Sequence, residues 1–303
     1  MNKIHLKALT LLMALLVVLG SFNVIKAQEV RRPMKINTLE RENFEIRYGM
    51  GLSTRYMWRG LDLAKSPTLE PYASILFHGF ELSAYGVYGL YESAPKHPDF
   101  NEPENPGEIN PVFLETIAFG EIISNLFYSF QANIGTISIG ATDYYFPDRL
   151  VRQTETDTNG VKHIKYIKSR WGNWEGGGNG AHIIEAIVRY QGNSSFPAWL
   201  LIGYNIYNDP DNSLFTEAGY TFNILNNNFS LFAGGAIGGS AWYQFTIKNG
   251  VVQDGMGLTN FGFILNRELI LNEGLSLDFS LMDVVNFYQE RNTILFKVIL
   301  RIQ

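Results

Sequence analysis

From residue 44 onward, apolar and polar side chains alternate with a period of two, and this pattern limits what the chain can fold into. Successive side chains of a strand point to opposite faces of the sheet. We therefore predict a first strand over residues 44–58, with Arg47, Arg55 and Arg59 on one face. The other face is an apolar stripe made of Phe44, Ile46, Tyr48, Met50, Leu52, Tyr56 and Trp58.

The same alternation recurs along the rest of the chain. Beyond the N-terminal segment, no run has the apolar length of a membrane-spanning helix, and the only other structure that can cross a bilayer is a closed barrel. The content of 29 glycines and 14% aromatic residues also suits strands and turns. We predict an all-β, antiparallel transmembrane β-barrel of about twelve strands. After the first, they lie near residues 68–77, 80–92, 119–132, 136–147, 180–190, 198–208, 214–224, 229–244, 256–267, 275–286 and 292–302.

Connection lengths between these strands alternate between long and short, which is typical of bacterial outer-membrane barrels with long outer loops and tight periplasmic turns. The two longest predicted connections, 93–118 and 148–179, both follow odd-numbered strands. Aromatic residues stand where outward-running strands end, and we expect them to form the outer girdle at the membrane interface. They are Trp58, Tyr91, Tyr144, Tyr145, Tyr207, Trp242, Tyr243, Phe287 and Tyr288.

The first 27 residues have the composition of a secretory signal peptide, with a basic start and an apolar run from Leu9 to Leu19. We expect export to the bacterial outer membrane, a periplasmic leader at 28–43 and the barrel at 44–303. The chain has 24 Lys and Arg against 29 Asp and Glu, and cleavage would remove three of the lysines. The acidic balance argues against nucleic acid as a partner. The expected partners are outer-membrane lipid and small solutes, and oligomeric state is left open.

The face opposite the apolar stripes is charged, and in a barrel it must line the lumen because charge is costly in hydrocarbon. Two interpretations stay open. The charges either form a salt-bridge lattice that fills a narrow barrel, or they line a pore and select solutes. The predicted lumen residues are Arg47, Arg55, Arg59, Glu81, Glu121, Glu185, Arg189, Glu217, Asp278, Lys297 and Arg301.

A search for catalytic and cofactor motifs finds none that is specific. None of the five histidines precedes a serine in an H-x-S arrangement, and there is no G-x-S-x-G elbow. Without cysteine the chain has no thiolate metal site. We expect no enzyme activity, cofactor or metal. Two outer-loop features remain: Trp171 and Trp174, which could stack against a glycan, and the acidic residues of 92–108, which could bind calcium.

The stretch GLSTRYMWRGLDL resembles the start of the barrel in the Gcw_chp family of bacterial outer-membrane proteins, which carries G-x-S-x-x-Y-x-x-R-G. The matching residues are Gly51, Ser53, Tyr56, Arg59 and Gly60. The strand ending ATDYYFPD, at 141–148, is similar to that family's aromatic-rich strand, and the acidic residue expected on the next strand corresponds to Glu185. The resemblance implies a barrel in the outer membrane and implies no particular substrate.

Three functional hypotheses follow. The leading one is passive or selective passage of small solutes through a charged lumen. The alternative is a non-conducting structural or surface-interaction barrel that uses its long outer loops. An outer-membrane enzyme is the third and has the least support in the sequence.

Overall fold

The computed structural model describes residues 44–91, 120–147, 150–156, 158, 162–168, 170–178, 180–238, 240, 243 and 256–302. The predicted signal peptide and leader lie outside the described residues, as do residues 92–119, which include the acidic stretch 92–108. Among the described residues there is no helix with the length and apolar content to cross a membrane.

Twelve antiparallel strands close into a barrel, which confirms the predicted fold class and strand number. The wall strands are β1 Glu45–Ser53, β4 Thr68–Phe77, β5 Phe80–Gly89, β6 Gly120–Ala132, β7 Gly135–Tyr145, β10 His182–Gly192, β11 Ala198–Tyr207, β12 Leu214–Ile224, β13 Asn227–Ile237, β14 Met256–Asn272, β15 Leu275–Asn286 and β16 Arg291–Ile302. Around the barrel the order is β1, β16, β15, β14, β13, β12, β11, β10, β7, β6, β5 and β4, so each strand pairs with its neighbour in the chain apart from two inserted hairpins.

The inserted hairpins are β2 Tyr56–Trp58 with β3 Leu61–Ala64, and β8 Leu150–Thr156 with β9 Lys162–Lys168. Both lie at the same end of the barrel as the long connections, which we call the loop end. The other end, the turn end, has connections as short as residues 78–79, 133–134 and 225–226. The predicted alternation of long and short connections is therefore present.

The wall has an apolar outer face and a polar inner face. On β1 the outward side chains Ile46, Tyr48, Met50 and Leu52 are all about half exposed, whereas Gly51 and Ser53 at alternate positions are buried. Large exposed apolar side chains continue around the barrel on the other strands. A closed barrel with an apolar outer band is the architecture of an outer-membrane β-barrel.

The predicted first strand, 44–58, is too long. Strand β1 ends at Ser53, whose hydroxyl donates a hydrogen bond to the Arg55 carbonyl oxygen over 2.7 Å. This local bond turns the chain away from the wall. Tyr56 is 7% exposed and packs with Ala64 and Val87, so Tyr56 and Trp58 face the barrel interior and not lipid.

Residues Tyr56–Ala64 form what we call the lumen hairpin, because it lies inside the barrel. The tip is the two-residue turn Arg59–Gly60, with φ of 50° and 82°, the positive values that a type I′ turn requires. The Gly60 carbonyl accepts a hydrogen bond from Asn286 of β15 over 3.0 Å, and the Arg59 carbonyl accepts one from Thr259 of β14 over 3.2 Å. Thr259 is the extra residue of a bulge opposite Gly234 and Gly235.

The predicted aromatic girdle is partly wrong. Tyr91 and Phe287 are exposed, in keeping with an interface position. Trp58, Tyr144 and Tyr243 instead point inward and pack around the hairpin tip. Trp242 lies outside the described residues. The inward residues fail as lipid anchors because the hairpin offers them an apolar surface inside the barrel.

Substituting Gly60 with alanine should destabilise the fold. A Cβ at Gly60 would lie 1.7 Å from the Thr259 carbonyl oxygen at a positive φ, so both steric conflict and backbone strain oppose it. We expect a loss of at least about 1 kcal/mol, measured by urea unfolding of the refolded protein in micelles. Gly176→Ala is the control, because that site has no neighbour within 4 Å. Equal stability of the two variants would contradict the placement of the hairpin tip.

Candidate functional site

The structure places the predicted lumen residues inside the barrel by two routes. Nine stand on inward positions of the wall strands, as the pairing register requires: Arg47, Glu81, Glu121, Glu185, Arg189, Glu217, Asp278, Lys297 and Arg301. Arg55 and Arg59 are not on the wall. They belong to the chain that leaves β1 and forms the lumen hairpin.

Arg59 and Glu185 form the central contact of the lumen. The Arg59 guanidinium donates to both carboxylate oxygens of Glu185, with nitrogen–oxygen distances of 2.5 and 2.7 Å. Glu185 is fully buried on β10, and Tyr144 of β7 donates a further hydrogen bond to it over 2.8 Å. A bidentate arginine–carboxylate pair with an added donor is the geometry that best offsets the desolvation of both charges.

Glycine at position 203 makes room for this pair. A Cβ there would lie 2.1 Å from a Glu185 carboxylate oxygen and 3.1 Å from an Arg59 guanidinium nitrogen. Gly203 sits on β11, next to β10. The lack of a side chain at position 203 therefore leaves the space that the ion pair occupies.

Aromatic rings enclose the Arg59 guanidinium. Its central carbon lies 4.6 Å from the Trp58 ring centroid and 4.5 Å from that of Phe215 on β12. Tyr243 stacks on both rings, at centroid distances of 5.5 and 5.3 Å, and its hydroxyl is hydrogen bonded to Arg59. Cation–π contacts of this kind strengthen when desolvated, so the cage and the ion pair hold the hairpin tip together.

Two further buried carboxylates connect to the base of the hairpin, and Glu70 does so through Tyr85, which packs against the cluster of Tyr56, Ala64 and Val87. Glu70 of β4, 2% exposed, accepts from the Thr68 hydroxyl over 2.7 Å and is bonded to the Tyr85 hydroxyl and the Lys297 ammonium. Tyr56 of the hairpin shares a side-chain hydrogen bond with Glu121 of β6. This hydrogen bond ties the base of the hairpin to the wall.

Three other lumen arginines among the described residues form ion pairs, two of them with a carboxylate nearby in the sequence. Arg55 bonds to Asp62 within the hairpin region at 2.7 Å. Arg47 bonds to its own neighbour Glu45 at 2.5 Å, and Arg301 pairs with Asp278. These pairs neutralise much of the charge that the sequence places in the lumen.

A cavity of about 340 Å³ lies against the hairpin inside the barrel. Met57, Trp58, Arg59 and Gly60 form its hairpin side, and inward residues of eight wall strands form the rest. Arg189 and Glu217 are among the wall residues. The lumen is thus divided: the hairpin fills part of it and a space of ligand size remains beside it.

The two loop tryptophans gather on His182 at the loop end. Trp174 stacks on the imidazole at a centroid distance of 3.8 Å, and Trp171 meets it edge-on at 4.8 Å. Both indoles are about half exposed. His182 is fully buried, and its Nδ1 lies 2.9 Å from an Asp143 carboxylate oxygen. The contacts of His182 with Asp143 and with the two indoles hold loop residues 170–178 on the barrel rim.

His182 is poorly arranged for a general base. Its Nε2 lies 2.7 Å from the Trp171 carbonyl oxygen, and because a carbonyl only accepts, Nε2 carries the hydrogen. The other nitrogen faces Asp143. Neither nitrogen points to a nucleophile, so the His–Asp contact positions the loop.

Comparisons with known proteins give a likeness of fold. No family model and no curated protein matches the chain in sequence. Among solved structures, a KdgM porin is 10% identical with a TM-score of 0.41, over 85% of this chain and 98% of its own. Outer membrane phospholipase A from Escherichia coli is 9% identical with a TM-score of 0.33, over 86% and 96% of the two chains. The siderophore receptor PirA from Pseudomonas aeruginosa is 9% identical with a TM-score of 0.29, over 87% and 46%.

Some site residues were missed by the sequence analysis although a signal was present. Glu70 lies in phase with the inward residues of its strand, Thr68 and Ser74, and the same alternation that identified Glu121 could have identified it. Phe215 and Asn260 had no comparable signal. Their roles depend on the hairpin crossing the lumen, which no local pattern encodes.

Removing either partner of the Arg59–Glu185 pair should destabilise the protein strongly. Arg59→Ala and Glu185→Gln each leave a buried group without its partner, which costs about 3–5 kcal/mol. The double variant should lose less than the sum. Urea unfolding followed by tryptophan fluorescence measures this. Arg47→Ala is the control, since its pair with Glu45 is one-third exposed and contributes about 0–1 kcal/mol. Additive losses would argue against direct coupling.

Proposed function

We propose that the protein passes small solutes across the outer membrane and that the lumen hairpin is the constriction of its pathway. One observation carries the proposal: the hairpin contacts the wall opposite its own origin and leaves a cavity beside it. It emerges from β1, yet its tip bonds to Glu185 on β10 and packs on Phe215 of β12. These strands flank β11, which lies six positions from β1 around the ring.

The constriction is nearly neutral because its charges are paired. Arg59 with Glu185, Arg55 with Asp62, and Lys297 with Glu70 each balance one another. Paired charges at a narrow point offer both signs to a passing solute and select weakly between cations and anions. Removing one member of a pair leaves the charge of the other unbalanced, so ion selectivity should shift toward ions of the opposite sign to the remaining charge.

Single-channel recordings in planar bilayers should show this response. Arg59→Ala leaves the Glu185 carboxylate, and the reversal potential in a salt gradient should move toward cation selectivity. Glu185→Gln leaves Arg59, and the reversal potential should move the opposite way. Arg170→Ala and Glu175→Gln are matched controls on an exposed loop and should leave it unchanged.

The outcomes separate the hypotheses. Openings whose selectivity shifts in opposite directions support passage at the hairpin. Openings with unshifted selectivity in both variants would place the pathway elsewhere. No openings from folded wild type and variants would mean that the hairpin is a permanent plug and would reject the proposal.

A surface-interaction role is the second candidate, favoured by the half-exposed indoles of Trp171 and Trp174 on their His182 support. Rigid exposed aromatic faces suit stacking on sugar rings. Affinity electrophoresis through gels containing soluble polysaccharide tests it. Retardation lost in Trp171→Ala/Trp174→Ala and retained in Phe287→Ala, another exposed aromatic, would favour this role. Equal mobility with and without polysaccharide would remove it.

The resemblance to the Gcw_chp family remains a prediction. Its five motif residues nevertheless share one region here: Gly51 and Ser53 end β1, and Tyr56, Arg59 and Gly60 belong to the lumen hairpin.

A further inference from the structure

The cavity beside the lumen hairpin contains a cation without a matching anion. The buried Nε of Arg189 has no hydrogen-bond partner among the described residues, and no ion pair of those residues within 4 Å includes its guanidinium. The guanidinium lies over the face of Phe127 at 4.0 Å, which fixes the plane of the group and leaves hydrogen-bond donors free. A partly buried guanidinium with no carboxylate partner is unfavourable, so this position favours an incoming anion.

An acidic group stands on the same cavity wall. Pairing places Arg189 level with Leu201 on β11, and Leu201 level with Glu217 on β12. The two charges are therefore two strands apart, about 10 Å between backbones, and both side chains project into the cavity. The side-chain amide of Asn260 donates a hydrogen bond to the Glu217 carboxylate and holds it in position as an acceptor.

The residue between the two charges is apolar, because Leu201 separates them on β11. Elsewhere in the cavity, Ile187, Met282 and Val284 contribute aliphatic groups, and Met57 lines it from the hairpin. The volume of about 340 Å³ falls at the small end of the range of about 300–1,000 Å³ typical of small-molecule sites. An anion site, a cation site and an aliphatic patch in a space of that size describe one class of ligand.

We propose that this cavity binds a small zwitterionic solute of amino-acid size, with its carboxylate on Arg189, its ammonium on Glu217 and its aliphatic part on Leu201 and Met282. The inference rests on the proposed passage of small solutes and specifies which solutes the lumen favours. Glu81 is the other carboxylate near Phe127, to which it is paired in register. Glu81 is therefore the wall carboxylate that could compete with a solute carboxylate for Arg189.

Isothermal titration of the refolded full chain in micelles tests the proposal with three probes. Leucine carries both charges, 4-methylpentanoate lacks the ammonium, and 3-methylbutylamine lacks the carboxylate. Leucine should bind at least tenfold more tightly than either single-charge probe. Arg189→Gln should abolish binding of leucine and of 4-methylpentanoate, and Glu217→Gln should abolish binding of leucine and of 3-methylbutylamine.

Four further variants keep the result interpretable. Arg189→Lys and Glu217→Asp preserve charge and should retain measurable leucine binding, which separates recognition from misfolding. Arg301→Gln and Asp278→Asn make matching charge changes on the wall outside the cavity and should bind leucine as wild type does. The folded state of each variant is checked by its heat-dependent mobility in gels.

Two results would overturn the inference: equal affinity for all three probes, which would reduce the cavity to an apolar patch, or no binding of leucine by folded wild type. A loss of stability in Glu81→Gln equal to that in Arg189→Gln, with no leucine binding, would assign Arg189 to Glu81. Conductance without leucine binding rejects this inference alone. Leucine binding without conductance rejects the passage function alone.

Discussion

The buried carboxylate of Glu185 is the constraint on which the interior of this barrel depends. A charge with no access to water requires a cation and further donors. Among the described residues, the wall around Glu185 supplies the Tyr144 hydroxyl but no cation at bonding distance. Arg59 comes from the opposite side of the barrel to meet it. The chain between β1 and β4 must therefore enter the lumen rather than extend outward as a loop.

The stability of the hairpin and its position have different physical origins. Its apolar residues, Tyr56, Trp58 and Leu61, are buried against the wall and supply attraction that has little directional preference. The ion pair adds little net free energy once desolvation is counted, but it is intolerant of displacement. Apolar packing accordingly keeps the hairpin in the lumen, and Arg59 with the Thr259 and Asn286 hydrogen bonds fixes its depth.

The wall could be predicted from sequence, and the contents of the lumen could not. Period-two alternation depends on neighbours in the chain, so strand number and the inward side of Glu121 or Arg189 followed directly. The prediction was wrong for Tyr56 and Trp58, which lie beyond the turn after Ser53. A wall strand and a hairpin that leaves the wall show the same alternation in sequence, so the pattern cannot distinguish them. The bulge that places Thr259 against the hairpin could not be predicted either, because one inserted residue is not recognisable in the alternation of apolar and polar residues.

The same pairing that closes the lumen explains why Arg189 differs from the other lumen arginines. Arg47, Arg55, Arg59 and Arg301 each have a carboxylate at bonding distance, two of them within a few residues in the chain. Arg189 instead lies over an aromatic ring, which offers attraction without neutralising the charge. A barrel that pairs its other lumen arginines and holds one rigidly against a cavity has retained positive charge where a solute can reach it.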